Sequence, residues 1–201
     1  MRAAQVVLLS VLAACVYGVI HDQVTVRLCP EYFTIAHPPL FHTKSPTLLA
    51  ACWGIAATAG IGAALGFILA LVSQSDGSAP FSLTRLARSI LFLLIVMATS
   101  AFAAGVLGYL LSRDGFMSLP ADLASAIPVY QHDRFMSVWF AHGASYLVGL
   151  SGGVLLCLRI WLARGRPSVI SFFPPTPAST IRAGLLAAVV AYIFWIRFGP
   201  H

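Results

Sequence analysis

The stretch TLLAACWGIAATAGIGAALGFILALV, from Thr47 to Val72, contains no charged side chain. A chain crossing lipid must satisfy its own backbone hydrogen bonds, and a helix of ~20 mainly apolar residues does so across the hydrocarbon core. This stretch is long enough, and its glycines Gly54, Gly60, Gly62 and Gly66 suit contact with another helix, above all Gly62-x-x-x-Gly66.

Three further segments meet the same test, roughly Ala3 to Ile20, Ser89 to Leu111 and Ser137 to Leu162. A fifth, Ile181 to Ile196, is shorter, but Arg182 and Arg197 can extend toward the headgroups while Tyr192 and Trp195 lie at the interface. The expected fold is therefore all-α: a polytopic membrane bundle of five transmembrane helices forming a single integral-membrane domain over residues 1–201.

Composition agrees, since 59% of the residues are hydrophobic, 9% are charged and the mean hydropathy is +0.89. The net charge of +6 does not indicate nucleic acid, because the basic residues stand singly among apolar runs and form no stripe along phosphates. Lys and Arg are mildly enriched in the loops that share a side with the N-terminus, which places that terminus in the cytoplasm and the C-terminus outside. The localisation expected is a bacterial inner (plasma) membrane. A rival reading of the first segment is a lipoprotein signal ending at Cys15, although the apolar run continues past that cysteine to Ile20. Cys15, Cys29, Cys52 and Cys157 lack any C-x-x-C spacing, and three of them lie in apolar segments. Cys29 alone lies among polar residues, with packing its expected role.

Between the first two spans runs HDQVTVRLCPEYFTIAHPPLFH, His21 to His42, holding three of the six histidines. Pro30-Glu31 marks a helix start, with a carboxylate suited to the positive end of the dipole. A short interfacial helix over Tyr32 to Ile35 follows, ended at His37 by Pro38. The second long connection, Ser112 to Met136, carries His132-Asp133-Arg134, in which Asp133 can equally be an N-cap paired with Arg134. If the first helix runs past Ile20, Tyr17 shares a face with His21 and can hydrogen-bond its imidazole. His42, near Lys44, reads as a solvated loop residue.

His142 lies inside the fourth span, where an imidazole needs a partner. Tyr146, Gly149 and Gly153 follow it on the same helix face. The topology places His21, Asp22, Glu31, His37, His132, Asp133 and His142 on one, non-cytoplasmic, side of the membrane. Imidazoles and carboxylates are the ligands of borderline metals, so the expected site is a divalent metal centre, zinc or iron with copper as a further option. Its ligands are drawn from His21, Asp22, His37, His132 and His142, with Glu31 or Asp133 as catalytic base for a metal-bound water.

Metal-assisted hydrolysis and di-iron or copper oxidation both fit such a site, and its location favours membrane lipid or another apolar, lipid-like substrate. There is no H-E-x-x-H, Walker A, C-x-x-C-H or paired E-x-x-H to name the reaction. Two other functions suit the same residues. One is a haem- or pigment-binding redox subunit using His142, with His21 as an optional second axial ligand; the other is a non-enzymatic structural or assembly subunit of a membrane complex or oligomer. A transporter fits less well, because few polar groups lie within the spans.

Overall fold

A computed structural model describes residues 3–74 and 82–164, and these are helical throughout, with short connections and no strand. The long helices are α1 (Ala3–Leu28), α3 (Pro46–Gln74), α4 (Leu83–Arg113) and α6 (His132–Arg164). Two short ones, α2 (Glu31–Thr34) and α5 (Ala121–Ala126), lie in the connections between them. All four long helices are long and apolar enough to cross a membrane. The fifth expected span, 181–196, lies outside the described residues, and so does the expected position of the C-terminus.

Three span boundaries differ from expectation. The first helix continues eight residues beyond Ile20 to Leu28, which brings His21 and Asp22 inside it. Its last turns are held by Thr25 Oγ1 donating to the His21 carbonyl and by Arg27 donating to the Gln23 carbonyl and side-chain oxygen and to Thr47 Oγ1. Likewise α4 begins at Leu83, capped by Ser82 accepting from the Arg85 N–H, and α6 begins at His132, so Asp133 lies in its first turn. The short helix after the first span is present at Glu31–Thr34, with Pro30 as its N-cap residue.

The helices form two antiparallel hairpins. In the first, α1 and α3 touch backbone to backbone at small residues. A Cβ added to Gly18 would collide with the Gly54 carbonyl oxygen, one on Gly54 would lie 2.5 Å from Val19 N, and one on Gly66 would lie 2.8 Å from Ser10 Cβ. In the second, α4 meets α6 in the same manner, since a Cβ on Gly108 would lie 2.7 Å from the Met136 oxygen. Lipid tails are as apolar as leucine, so close approach and polar contacts hold such helices together.

The packing is inverted relative to a soluble bundle. Along α1 the exposed stripe is Leu8, Leu12, Val16, Ile20 and Val24, with Ile20 62% exposed, while Ser10, Gly18, Asp22 and Thr25 face inward. An apolar exterior this continuous needs lipid around it.

Two apolar clusters close the ends of the bundle. Val26, Cys29, Tyr32, Phe33, Phe135 and Val138 pack at the end bearing the two long connections. Val6, Leu69, Leu86, Ile90 and Ile160 pack at the other.

Close glycine contacts predict position-specific costs. Gly18→Ala and Gly54→Ala should each destabilise the detergent-solubilised protein by about 1–3 kcal/mol, the usual cost of overpacking. Gly60→Ala, where a Cβ meets nothing within 4 Å, should leave the melting temperature unchanged or slightly raised. Thermal unfolding followed by circular dichroism in one detergent checks all three.

Candidate metal centre

Asp22 comes from α1, ~10 Å short of that helix's C-terminal end, and His142 comes from α6, ~15 Å beyond its start, at 1.5 Å per residue. The two meet between the hairpins, with His142 Nε2 3.2 Å from Asp22 Oδ1. Both are nearly water-free, at 5% and 6% exposure. The other imidazole nitrogen, Nδ1, lies 2.9 Å from the Val138 carbonyl, which can only accept, so Nδ1 carries a hydrogen. Only one of two arrangements then satisfies the contact to Asp22. Either a single proton is shared between Nε2 and Oδ1, or both atoms ligate one cation. A histidine that donates one ring N–H to a backbone carbonyl while the other nitrogen faces a carboxylate is oriented as metal-ligating histidines are.

His21 completes the group. Its ring packs edge-on against His142, with centroids 4.6 Å apart, and its Nε2 is buried with no hydrogen-bond partner. A buried polar nitrogen left unpaired is costly, more so in lipid. One ligand atom each from His21, Asp22 and His142 lies within 4.8 Å of the others, the arrangement of a group that could hold a metal ion. With ligand bonds of about 2.0–2.2 Å, neighbouring tetrahedral ligands stand ~3.4 Å apart. The Asp22–His142 pair already meets that spacing, and closing the remainder takes a movement of His21 on the order of 1 Å.

The surrounding groups fix these side chains. Tyr17 does not hydrogen-bond the His21 imidazole as expected but stacks on it, centroids 5.7 Å apart, and its hydroxyl pairs with Ser145 Oγ at 2.8 Å. Sequence reasoning missed Ser145, whose only signal was its place one turn after His142 on the same face. Tyr32 from α2 lies over the His142 ring at 4.6 Å and Phe33 lies at 5.7 Å, so the short helix covers the site from the end of the bundle.

Other candidates lie outside this group. His37 Nδ1 donates to the Tyr32 carbonyl at 2.7 Å, and its ring packs on Trp53. His132 Nε2 donates to the Ile127 carbonyl at 2.9 Å. Asp133 accepts from Ser112 Oγ at 2.7 Å, tying the end of α4 to the start of α6; this is the contact it makes in place of the expected pair with Arg134. Glu31 accepts from the Cys29 thiol at 3.4 Å, and His42 is exposed. Cys29 itself is fully buried, and burial, joined by the neighbouring Glu31, pushes its thiol up to about 12. It is therefore a neutral packing residue. The two imidazoles of the cluster stand too close, 4.6 Å between centroids, to admit a macrocycle between them as paired axial ligands.

Below the cluster a cavity of about 370 Å³ extends between the hairpins, lined on one side of α1 from Ser10 to Asp22 and on α6 from His142 to Cys157. Compared with protein-family models, curated proteins and solved structures, the chain gives no match.

Two outcomes test these contacts. Asp22→Leu leaves His142 Nε2 unpaired and should destabilise by about 3 kcal/mol, the usual cost of breaking a buried pair, whereas the double change Asp22→Leu/His142→Leu should recover most of that loss. Thermal melts of the single and double variants decide it. Alkylation of Cys29 should stay slow between about pH 7 and 9 in the folded protein and become fast only on unfolding, because the buried thiol remains protonated while the free one ionises.

Proposed function

We propose that the chain is an integral membrane protein with a divalent metal centre held by His21, Asp22 and His142, and that it is a metal-dependent membrane enzyme acting on an apolar or lipid-like substrate. The observation carrying this reading is the convergence of three ligand atoms within 4.8 Å in a bundle interior where His21 Nε2 has no other partner. Two imidazoles and one carboxylate suit zinc or iron(II), and three protein ligands leave at least one coordination position open. Hydrolysis uses such a position to activate water; non-haem iron oxidation uses it for substrate and oxidant. Tyr17, held by Ser145, would fix the His21 ring, and the Val138 carbonyl would fix that of His142. Glu31 and Asp133, each engaged by a neighbouring side chain, would support the covering helix and the α4–α6 corner rather than act as base. The distribution of basic residues supports an inner-membrane orientation with the site toward the exterior leaflet.

Elemental analysis of detergent-purified protein should find about one zinc or iron per chain. His21→Ala, Asp22→Ala and His142→Ala should each lower occupancy by at least ~10-fold, while His37→Ala and His132→Ala retain it. Retention in the first three, or a well-folded chain carrying no metal after growth with each ion, would remove the reading.

A further inference from the structure

The cavity beneath the metal centre has one polar end and one apolar end. At the polar end lie His21, Asp22 and His142, and from there to Leu69 and Cys157 the lining is overwhelmingly apolar. Four of the hydroxyls in its wall are already occupied. Thr58 Oγ1 donates to the Gly54 carbonyl and Ser10 Oγ to the Val6 carbonyl, while Tyr17 and Ser145 pair with each other. At the polar end, His21 Nε2 is buried with no hydrogen-bond partner.

The cavity is long as well as narrow. Ser10 and Asp22, both in its wall, are twelve residues apart on α1, about 18 Å along a helix axis. A volume of about 370 Å³ falls within the range of ligand pockets and is spread here over most of the depth of the hydrocarbon core.

Access is from the side. Ile61 on α3 and Tyr146 and Leu150 on α6 line the cavity and are also 40%, 45% and 58% exposed, so the wall opens between α3 and α6 onto the lipid-facing surface. The end nearest the metal centre is closed by Tyr32, Phe33, Phe135 and Val138, and the far end by Leu69, Leu86, Ile90 and Ile160. A ligand therefore arrives from the bilayer rather than from water.

The geometry points to a single-chain lipid with an oxygen head group, a fatty acid or fatty alcohol, as the occupant: its chain lies between α3 and α6 and its head reaches His21 and the metal centre. This rests on the proposed metal centre for the head group, while the chain-binding part stands on the cavity alone. A double-chain phospholipid does not match one narrow cavity closed at both ends.

The test uses the full chain in detergent with a hexadecanoic acid carrying a mid-chain diazirine, together with metal analysis of the same samples. Photolabel should map to the cavity-lining residues of 57–65 and 146–153, saturate, and be displaced by unlabelled hexadecanoic acid. Two cavity-filling variants, Ala57→Phe and Leu94→Phe, should each lower saturable labelling by about ten-fold while metal content is unchanged. Melting temperature identifies which of them keeps the fold.

Label that does not saturate, that spreads evenly over the outer stripe of α1, or that persists in a folded filled variant overturns the proposal even if metal is present. Saturable label in a chain that binds no metal supports the lipid cavity and defeats only the metal reading. Displacement by a diacyl phospholipid as effective as by hexadecanoic acid would also overturn the single-chain assignment.

Discussion

A buried carboxylate and a buried imidazole meeting between two hairpins form the contact on which the arrangement of this bundle depends. Within each hairpin, α1 with α3 and α4 with α6, glycine-lined faces allow the backbones to touch. Between hairpins the side chains are longer and a cavity intervenes, so the polar contacts Asp22–His142 and Tyr17–Ser145 set how one pair sits against the other. Neither group can stay in lipid alone at small cost, and the carboxylate and the imidazole meet only across the hairpin boundary. The same pair with His21 forms the candidate metal centre, so the docking contact and the candidate site coincide.

Four of the spans were legible in the sequence because apolar length is a local property. The end of α1 was not. Asp22, Gln23, Thr25 and Arg27 read as a polar loop, yet each is satisfied in a helix: Asp22 by His142, Thr25 by the His21 carbonyl, and Gln23 and Arg27 by one another and by Thr47. Two of those partners, His142 and Thr47, lie on other helices, and sequence spacing does not display them. His142 was legible as a residue in need of a partner, since an imidazole within a span has few alternatives. Of the seven ionisable groups expected on one side, His21, Asp22 and His142 converge. His37 and His132 each turn back to a carbonyl five residues earlier, Tyr32 and Ile127, a local closure that depends on the turn geometry of α2 and of the segment before α6.

The fold also shows why a membrane interior tolerates so polar a centre. Ser10, Gly18, Asp22 and Thr25 face inward along α1 while Leu8, Leu12, Val16, Ile20 and Val24 face out, and the hydroxyls of Ser10, Tyr17 and Thr25 each make a hydrogen bond to their own helix or to a neighbour. That leaves His21 Nε2 as a buried nitrogen with nothing to bind, in contrast to the hydroxyls around it. The aromatic rings of Tyr32 and Phe33 cover the His142 side of the site from the end of the bundle.

The separation of Asp22 and His142 along the chain has a consequence for biogenesis. They stand 120 residues apart, so at about 5–20 residues per second a ribosome takes roughly 6–24 s after making one before it makes the other. During that interval the first hairpin, already able to close through its glycines, holds an acid in its wall with no base opposite. Until its sister is inserted, the nascent hairpin thus carries Asp22 without the imidazole that pairs with it in the finished bundle.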